Sequence, residues 1–271
     1  MSPTSGTLIS ISDMELDSSA DSVLRTKDAR ALIEIGGELG RRGIFHLAWR
    51  CLGEGSRIRK PPLLPLWTGP GSSGRVLLLK RRMRHLGAEL RNARFINLAL
   101  QNVEKLIVAT EARLVPLLAR SFPDAIVVDE YDTSACVEAD CEASYEQLAL
   151  YFGKDRDEIY SSFVPVIPPP NSIERTPIGI GISWFSVNTR KSLPPLEDWA
   201  NVLRTLDCPI QSLQYDELGA GLSTLVDLAQ KEIHPSLPID QMVDIDGFAG
   251  QISNVAGVLT ISNTTAHMAG A

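Results

Sequence analysis

The stretch VLTISNTTAHMAGA, residues 258–271, holds a dense set of groups able to do chemistry. An apolar strand passes through Asn263 into Thr264, Thr265 and Ala266, followed by His267, Ala269 and Gly270. A strand that hands over to a helix at this point exposes backbone N–H groups and the positive end of the helix dipole, which together suit a diphosphate without a metal. Thr264 and Thr265 are able to cap the helix and donate to phosphate oxygens, His267 to donate from a ring nitrogen, and Ala269 and Gly270 to let a ligand come close. The plain alternative makes the threonines simple caps and His267 an ordinary helix residue. A second group lies in RRMRHLGAE, residues 81–89, where His85 and Glu89 flank Gly87 and Ala88. Either side chain could accept a proton, although Glu89 equally suits the start of a helix and His85 an exposed place among arginines.

Several chemistries lack their motifs. No G-x-G-x-x-G follows the first apolar strand, so a dinucleotide fold of the dehydrogenase kind is disfavoured. GPGSSGR, residues 69–75, precedes its strand and lacks the Gly-Lys-Ser/Thr ending of a phosphate loop, so it reads as a turn. There is neither a G-x-S-x-G elbow nor an H-E-x-x-H pair. Cys51, Cys136, Cys141 and Cys208 are scattered without a complementary His or Cys pair, which argues against zinc and for free buried thiols in a reducing compartment.

The elements that must position these residues follow from composition and pattern. A chain of 271 residues with 44% hydrophobic and 22% charged residues is globular. Its net charge of -7 conceals a basic stretch: residues 41–94 carry 13 Lys/Arg against Glu54 and Glu89, a local +11. Such a field could draw a phosphorylated ligand, an anionic membrane surface or nucleic acid, or be a solvated face. Nucleic acid is the weakest of these because no aromatic residues interleave with the charges. No leader and no apolar run long enough for a membrane span are present, so the expected location is cytoplasmic, with peripheral attachment at a membrane as a further option.

The expected organisation is a disordered tail over 1–25, a pair of short helices broken by glycines over 26–62, an N-terminal Rossmann-like domain over 63–168 and a C-terminal one over 169–271. RVLLLK (75–80), KLIVAT (105–110) and AIVVDE (125–130) alternate with helical patterns, the βαβαβ order of a parallel sheet. SYEQLALYF predicts a further helix, and a proline-rich linker, VPVIPPPNSIERTP, precedes a second series. There IGIGISW (178–184), PIQSLQ (209–214) and VLTIS (258–262) are strands, and PLEDWANVLRTL, 222–230 and 250–255 helices.

Three stretches, in order, resemble one family. LPLWTGPGSSGRVLLLKRRMRHLGAELRNARFINLAL (64–100), IGISWFSVNTRKSLPPLEDWANVL (180–203) with CPIQSLQYDE (208–217), and DGFAGQISNVAGVLTISNTTAHMAGA (246–271) are similar to tetratricopeptide-linked proteins related to glycosyltransferase family 9, the heptosyltransferases. The resemblance implies two Rossmann-like domains of the GT-B type facing across a cleft, the second incomplete in this C-terminally truncated chain, with the helices before residue 62 a tetratricopeptide remnant. It implies transfer of a sugar from a nucleotide-diphosphate donor to an acceptor hydroxyl, with neither metal nor cofactor and an acceptor not specified by the residues. Carried over, Gly87 is the loop glycine, and Ala88 stands where the family has its catalytic-base Asp, leaving Glu89 or His85 as substitutes. Trp184, Asn188 and Lys191 fall in the Trp-x-Gly-Asn and phosphate-side region, with Ser186 in place of the glycine. Gln214 matches a position near the nucleotide base, and Asn263 with Thr264 replaces Asp-Thr ahead of Thr265, His267, Ala269 and Gly270. The competing expectation is a non-catalytic nucleotide-sugar-binding or scaffold protein of the same fold.

Overall fold

The computed structural model describes residues 13–72, 75–82, 85–170, 179–188, 191–217, 219–236 and 239–271. Three helices come first: α1 (Asp13–Thr26), α2 (Ala29–Arg41) and α3 (Phe45–Arg59). The expected disordered tail is thus corrected over residues 13–25. Ala20, Val23 and Leu24 of α1 pack with Leu32 and Leu39 of α2 and with Ala48 and Cys51 of α3, which gives an otherwise polar segment a surface to fold upon. Nor do the glycines of α2 break it. The helices α2 and α3 run antiparallel, so close that a Cβ at Gly36 would stand 3.0 Å from the Ala48 carbonyl oxygen and one at Gly55 3.0 Å from that of Ala29. The chain reverses at Gly43, whose φ of +80° favours glycine.

Two parallel sheets follow. The first contains β1 (Val76–Lys80), β2 (Lys105–Thr110), β3 (Ile126–Asp129) and β4 (Cys141–Ser144) in the order β3-β2-β1-β4. Its helices are α4 (Leu86–Ala93), α5 (Ile96–Leu100), α6 (Val115–Ser121), α7 (Tyr145–Phe152) and α8 (Arg156–Ser161). The second contains β5 (Ile180–Ser183), β6 (Ile210–Ser212), β7 (Ile233–His234) and β8 (Gly257–Thr260) in the order β7-β6-β5-β8, with α9 (Leu196–Arg204), α10 (Leu222–Ala229), α11 (Ile245–Ser253) and α12 (Thr264–Ala269). Each half thus repeats one winding: three strands laid down outward, then a fourth on the other side of the first. The fold is α/β, as the alternation predicts.

Two strands are not evident in the pattern. β7 has only two residues, and β4 has the sequence CEAS, with a glutamate in a fully buried strand. Glu142 is accommodated because Arg82 meets it at 2.5 Å and the backbone N–H groups of Leu63 and Leu64 each donate to its Oε2 at 3.0 Å. Burial depresses the Arg82 pKa, and the Glu142 charge opposes that effect.

The halves share an apolar seam. Leu213, Ile245, Phe248, Ala249 and Met268 belong to the same buried cluster as Leu90, Leu117 and Tyr145 of the first half. Arg120 pairs with Asp246 beside it, and the N–H of Val166 in the proline-rich linker donates to the Ala271 carbonyl at 2.9 Å. At the centre of the seam the His267 ring occupies the space above Gly87, where a Cβ would lie 2.2 Å from its Cδ2.

This contact predicts that Gly87→Ala destabilises the protein by about 1–3 kcal/mol through overpacking, with most of the loss absent in a His267→Ala background; equal losses in both backgrounds, read from urea unfolding, would refute it. Glu142→Leu leaves Arg82 buried and uncompensated, for an expected cost of about 3–5 kcal/mol. Adding Arg82→Met should recover most of that in the same measurement.

Candidate functional site

Open parallel sheets take ligands beyond the carboxyl ends of their strands, where the winding reverses. In this chain the reversal lies between β1 and β4 and again between β5 and β8. The residues singled out in the sequence follow β1, β5, β6 and β8, and the seam brings the β1 and β8 groups into contact.

After β1, His85 caps α4: its Nδ1 accepts from the Ala88 N–H at 3.2 Å. With that lone pair in use, a neutral His85 carries its proton on Nε2. Ala88 is buried and contributes only a methyl group. Glu89 is 2% exposed and turns inward, toward the sheet. It accepts from the Thr110 hydroxyl at 2.6 Å and meets the Arg81 Nε at 2.9 Å, a contact with ion-pair distance but without hydrogen-bond alignment. Glu111 and Glu130 reach the same Arg81 at 3.1 Å each. Burial pushes the Glu89 pKa up to about 7 against the pull of Thr110 and Arg81.

After β5, Trp184 is buried and donates from Nε1 to the Ala220 carbonyl at 2.8 Å, within the core of the second sheet. Gln214, which follows β6, is 1% exposed. Its Oε1 accepts from the Trp184 and Phe185 N–H groups at 3.0 and 2.9 Å and from the Ser183 hydroxyl, and its Nε2 donates to the Tyr215 carbonyl. Both ends of this amide are therefore engaged in holding the β5 turn. Asn188 is exposed, and its carbonyl accepts from the Lys191 N–H at 3.0 Å. Ser186 is buried, with its hydroxyl accepting from the Asn188 N–H. The Lys191 ammonium reaches across to donate to the Ser262 carbonyl.

After β8, Asn263 is the α12 cap. Its Oδ1 accepts from the Ala266 N–H at 3.3 Å and the Thr260 hydroxyl at 3.0 Å, and its Nδ2 donates to the Ser183 hydroxyl at 2.8 Å. Thr265 is buried and Thr264 half-buried, while Ala269 and Gly270 are exposed. The structure thus assembles His85, Gly87, Lys191, Ser262, Asn263, Thr264 and His267 around one junction. It places Glu89, Trp184 and Gln214 in the protein interior.

The junction is electropositive. Burial first, then the charges of Arg91, His85 and Lys191, lower the His267 pKa to about 4. The same causes, burial and then Arg91 and Lys191, lower that of His85. The two rings stand edge to face with centroids 6.2 Å apart, both neutral near pH 7. Arg91 was not singled out from the sequence, yet a signal was present: it lies four residues after Gly87, on the same face of a helix. Ser183 and Thr260 were also missed, because only the fold brings their hydroxyls to Asn263.

Among the described residues no cluster of His, Cys, Asp and Glu could hold a metal, and no helix is long and apolar enough to cross a membrane. Burial pushes the Cys51 thiol up to about 11 and the Cys141 thiol up to about 12, which makes both poor nucleophiles.

Neither a family model nor a curated protein matches the sequence. Among solved structures, a glycosyl transferase family 9 protein from Veillonella parvula aligns over 72% of this chain and 78% of its own, at a TM-score of 0.51 and 11% identity. The ADP-heptose lipopolysaccharide heptosyltransferase II of Escherichia coli aligns over 72% and 81%, at 0.48 and 9% identity. The iron-containing dodecameric glycosyltransferase TibC of enterotoxigenic E. coli aligns over 76% of this chain at 0.48 and 12% identity, and the chain spans 56% of its length. At such identities the likeness is one of fold: this chain shares the architecture of the Veillonella protein, two parallel sheets with their covering helices.

Proposed function

We propose that this chain is a glycosyltransferase-like protein of the GT-B type that binds a nucleotide-diphosphate sugar at the junction of α4 and α12, without a metal, for transfer to an acceptor hydroxyl. The observation that carries this reading is the seating of His267 against Gly87 with Lys191 on the Ser262 carbonyl, which gathers the turns after β1, β5 and β8 at one electropositive point. The diphosphate lies on the Thr264 and Thr265 N–H groups, Lys191 neutralises it, and His85 and His267 donate as neutral imidazoles. On the same reading the hairpin of α2 and α3 is a tetratricopeptide remnant.

A second reading, a nucleotide-sugar-binding or scaffold protein without turnover, is favoured by the supply of bases. Ala88 has no proton-accepting atom, Glu89 is enclosed with Arg81 and Thr110, and the free lone pair of His85 is held by the Ala88 N–H. The two readings share the binding step and part at chemistry.

Calorimetric titration with UDP, ADP and GDP tests the shared step. One of the three should bind, and Lys191→Met should weaken it about tenfold, the loss of one charge-assisted hydrogen bond. Absence of binding by all three leaves only an inert scaffold. For the chemistry, Ala88→Asp should raise donor hydrolysis or transfer by about 10²-fold or more if a general base is the missing part; an unchanged rate supports the non-catalytic reading.

The histidines add a pH signature. His267 has its folded pKa near 4, below the usual 6.5, so the folded state binds fewer protons than the unfolded one between those values. Its contribution to stability is present above pH 6.5 and is lost as pH falls toward 4. His267→Gln should flatten the urea midpoint over that interval. A diphosphate beside the ring favours its protonation, so binding should take up protons there, seen as a dependence of the heat on buffer ionisation enthalpy.

A further inference from the structure

Most of the cations between residues 41 and 94 whose side chains the structure places near acids are neutralised by them: Arg81 and Arg82 in the interior, Arg41 and Arg42 on Glu38, and Arg57 on Glu54. Arg91 and Arg94 form no ion pair among the described residues, and both are half-buried; the buried Glu146 acts on Arg91 only from beyond ion-pair distance. They line a cavity of about 660 Å³ bounded by α2, α3, α4 and α8, whose walls carry four arginines, Arg41, Arg91, Arg94 and Arg156, and no aspartate or glutamate.

The arginines are positioned rather than merely exposed. The Arg91 guanidinium lies 5.0 Å over the Trp49 ring, and Trp49 is itself fixed by an Nε1 hydrogen bond of 2.7 Å to the Gly153 carbonyl. Stacking covers one face of a guanidinium and leaves its edge donors for a planar or tetrahedral anion. The in-plane partner Arg91 has is the Asn92 Oδ1, at a long 3.4 Å. Arg94 donates to the carbonyls of Arg91, Ile159 and Gly270, which orient its charge without cancelling it. Asn92 supplies an independent sign of a ligand: it lines the cavity, is 1% exposed, and its Nδ2 has no hydrogen-bond partner. A buried amide donor left unmatched is destabilising unless a ligand or water completes it.

We propose that this cavity binds a phosphomonoester carried on a ring, such as a sugar phosphate. The dianion answers to Arg91, Arg94 and the Asn92 amide, a monocarboxylate would leave one arginine uncompensated, and the volume admits a ring as well as the phosphate. The site adjoins the diphosphate position without coinciding with it: its arginines lie on α2, on and just after α4, and on α8, and it borders the junction at His85, Ser262 and His267. Binding here requires nothing of the nucleotide-sugar reading.

The experiment is calorimetry on the full chain with glucose 6-phosphate, glucose, inorganic phosphate and UDP. Glucose 6-phosphate should bind, inorganic phosphate more weakly and glucose not at all, and Arg91→Gln should weaken glucose 6-phosphate at least tenfold. A second variant avoids removing a charge from the interior. A Cβ at Gly37 would meet only the Arg41 Nη1, at 3.9 Å, so Gly37→Leu fills cavity space while replacing a helical glycine. It should abolish glucose 6-phosphate binding without lowering Tm and leave any UDP binding unchanged. No binding of glucose 6-phosphate, equal binding by both variants, equal affinity for inorganic phosphate or for glucose, or displacement by UDP would each overturn the proposal.

Discussion

The arrangement rests on a missing side chain. At Gly87 the helix backbone is open enough for an imidazole from the other half of the chain to lie directly upon it, and any Cβ there would overlap the ring. Helices approach this closely only where one contributes no side chain at the crossing. Once α12 is seated in this way, the β8 turn has little choice of position. Asn263 bridges it to Ser183 of β5, and Lys191 ties the loop after β5 to Ser262. One steric vacancy thus sets the distances among three turns that are far apart in the chain.

The charges divide by the same logic. Arg81 gathers Glu89, Glu111 and Glu130 beside the first sheet, and Glu142 gathers Arg82 and two backbone N–H groups. Removing both charges of such a pair often costs little, whereas removing one costs much, so these interactions specify register more than they add stability. At α4 the arrangement differs: Arg91 stacks on Trp49 and lines a cavity, with no carboxylate at ion-pair distance and the buried Glu146 acting on it from farther away.

How much of this the sequence discloses depends on whether a group's partner is local. β1, β2 and β3 are legible because Val, Leu and Ile runs between turn residues need no distant partner to be read as strands, although β3 lies at the edge of its sheet and is not buried. β4 is not legible, because a strand containing Glu142 becomes plausible only when Arg82, sixty residues earlier, is known to face it. α1 hides for a related reason: its acidic, serine-rich residues resemble a tail until the α2–α3 hairpin offers Ala20 and Leu24 a surface. At the site, Gly87 and His267 can be singled out one by one as a loop glycine and a helix histidine, but nothing in either stretch says that they touch. Gln214 shows the reverse error. An amide beside a strand end looks free to read a ligand, and its three acceptor contacts to Ser183, Trp184 and Phe185 appear only with the fold.

The two sheets repeat one winding, and that repetition bears on what the junction can do. A single doubly wound half has one reversal point and one set of N–H groups at its crevice. Two halves in the orders β3-β2-β1-β4 and β7-β6-β5-β8 have two, and α4 against α12 brings them edge to edge. Each face of that contact then has a different lining. On one side lie the β5 and β8 turns with Lys191. On the other lie the hairpin helices, with Arg91 and Arg94 over a cavity free of acids. Two neutral histidines stand between, held below their ordinary pKa by burial and by cations on either side. An anion on either face would lower the cost of protonating the rings, because their depressed basicity comes from burial and from the cations around them.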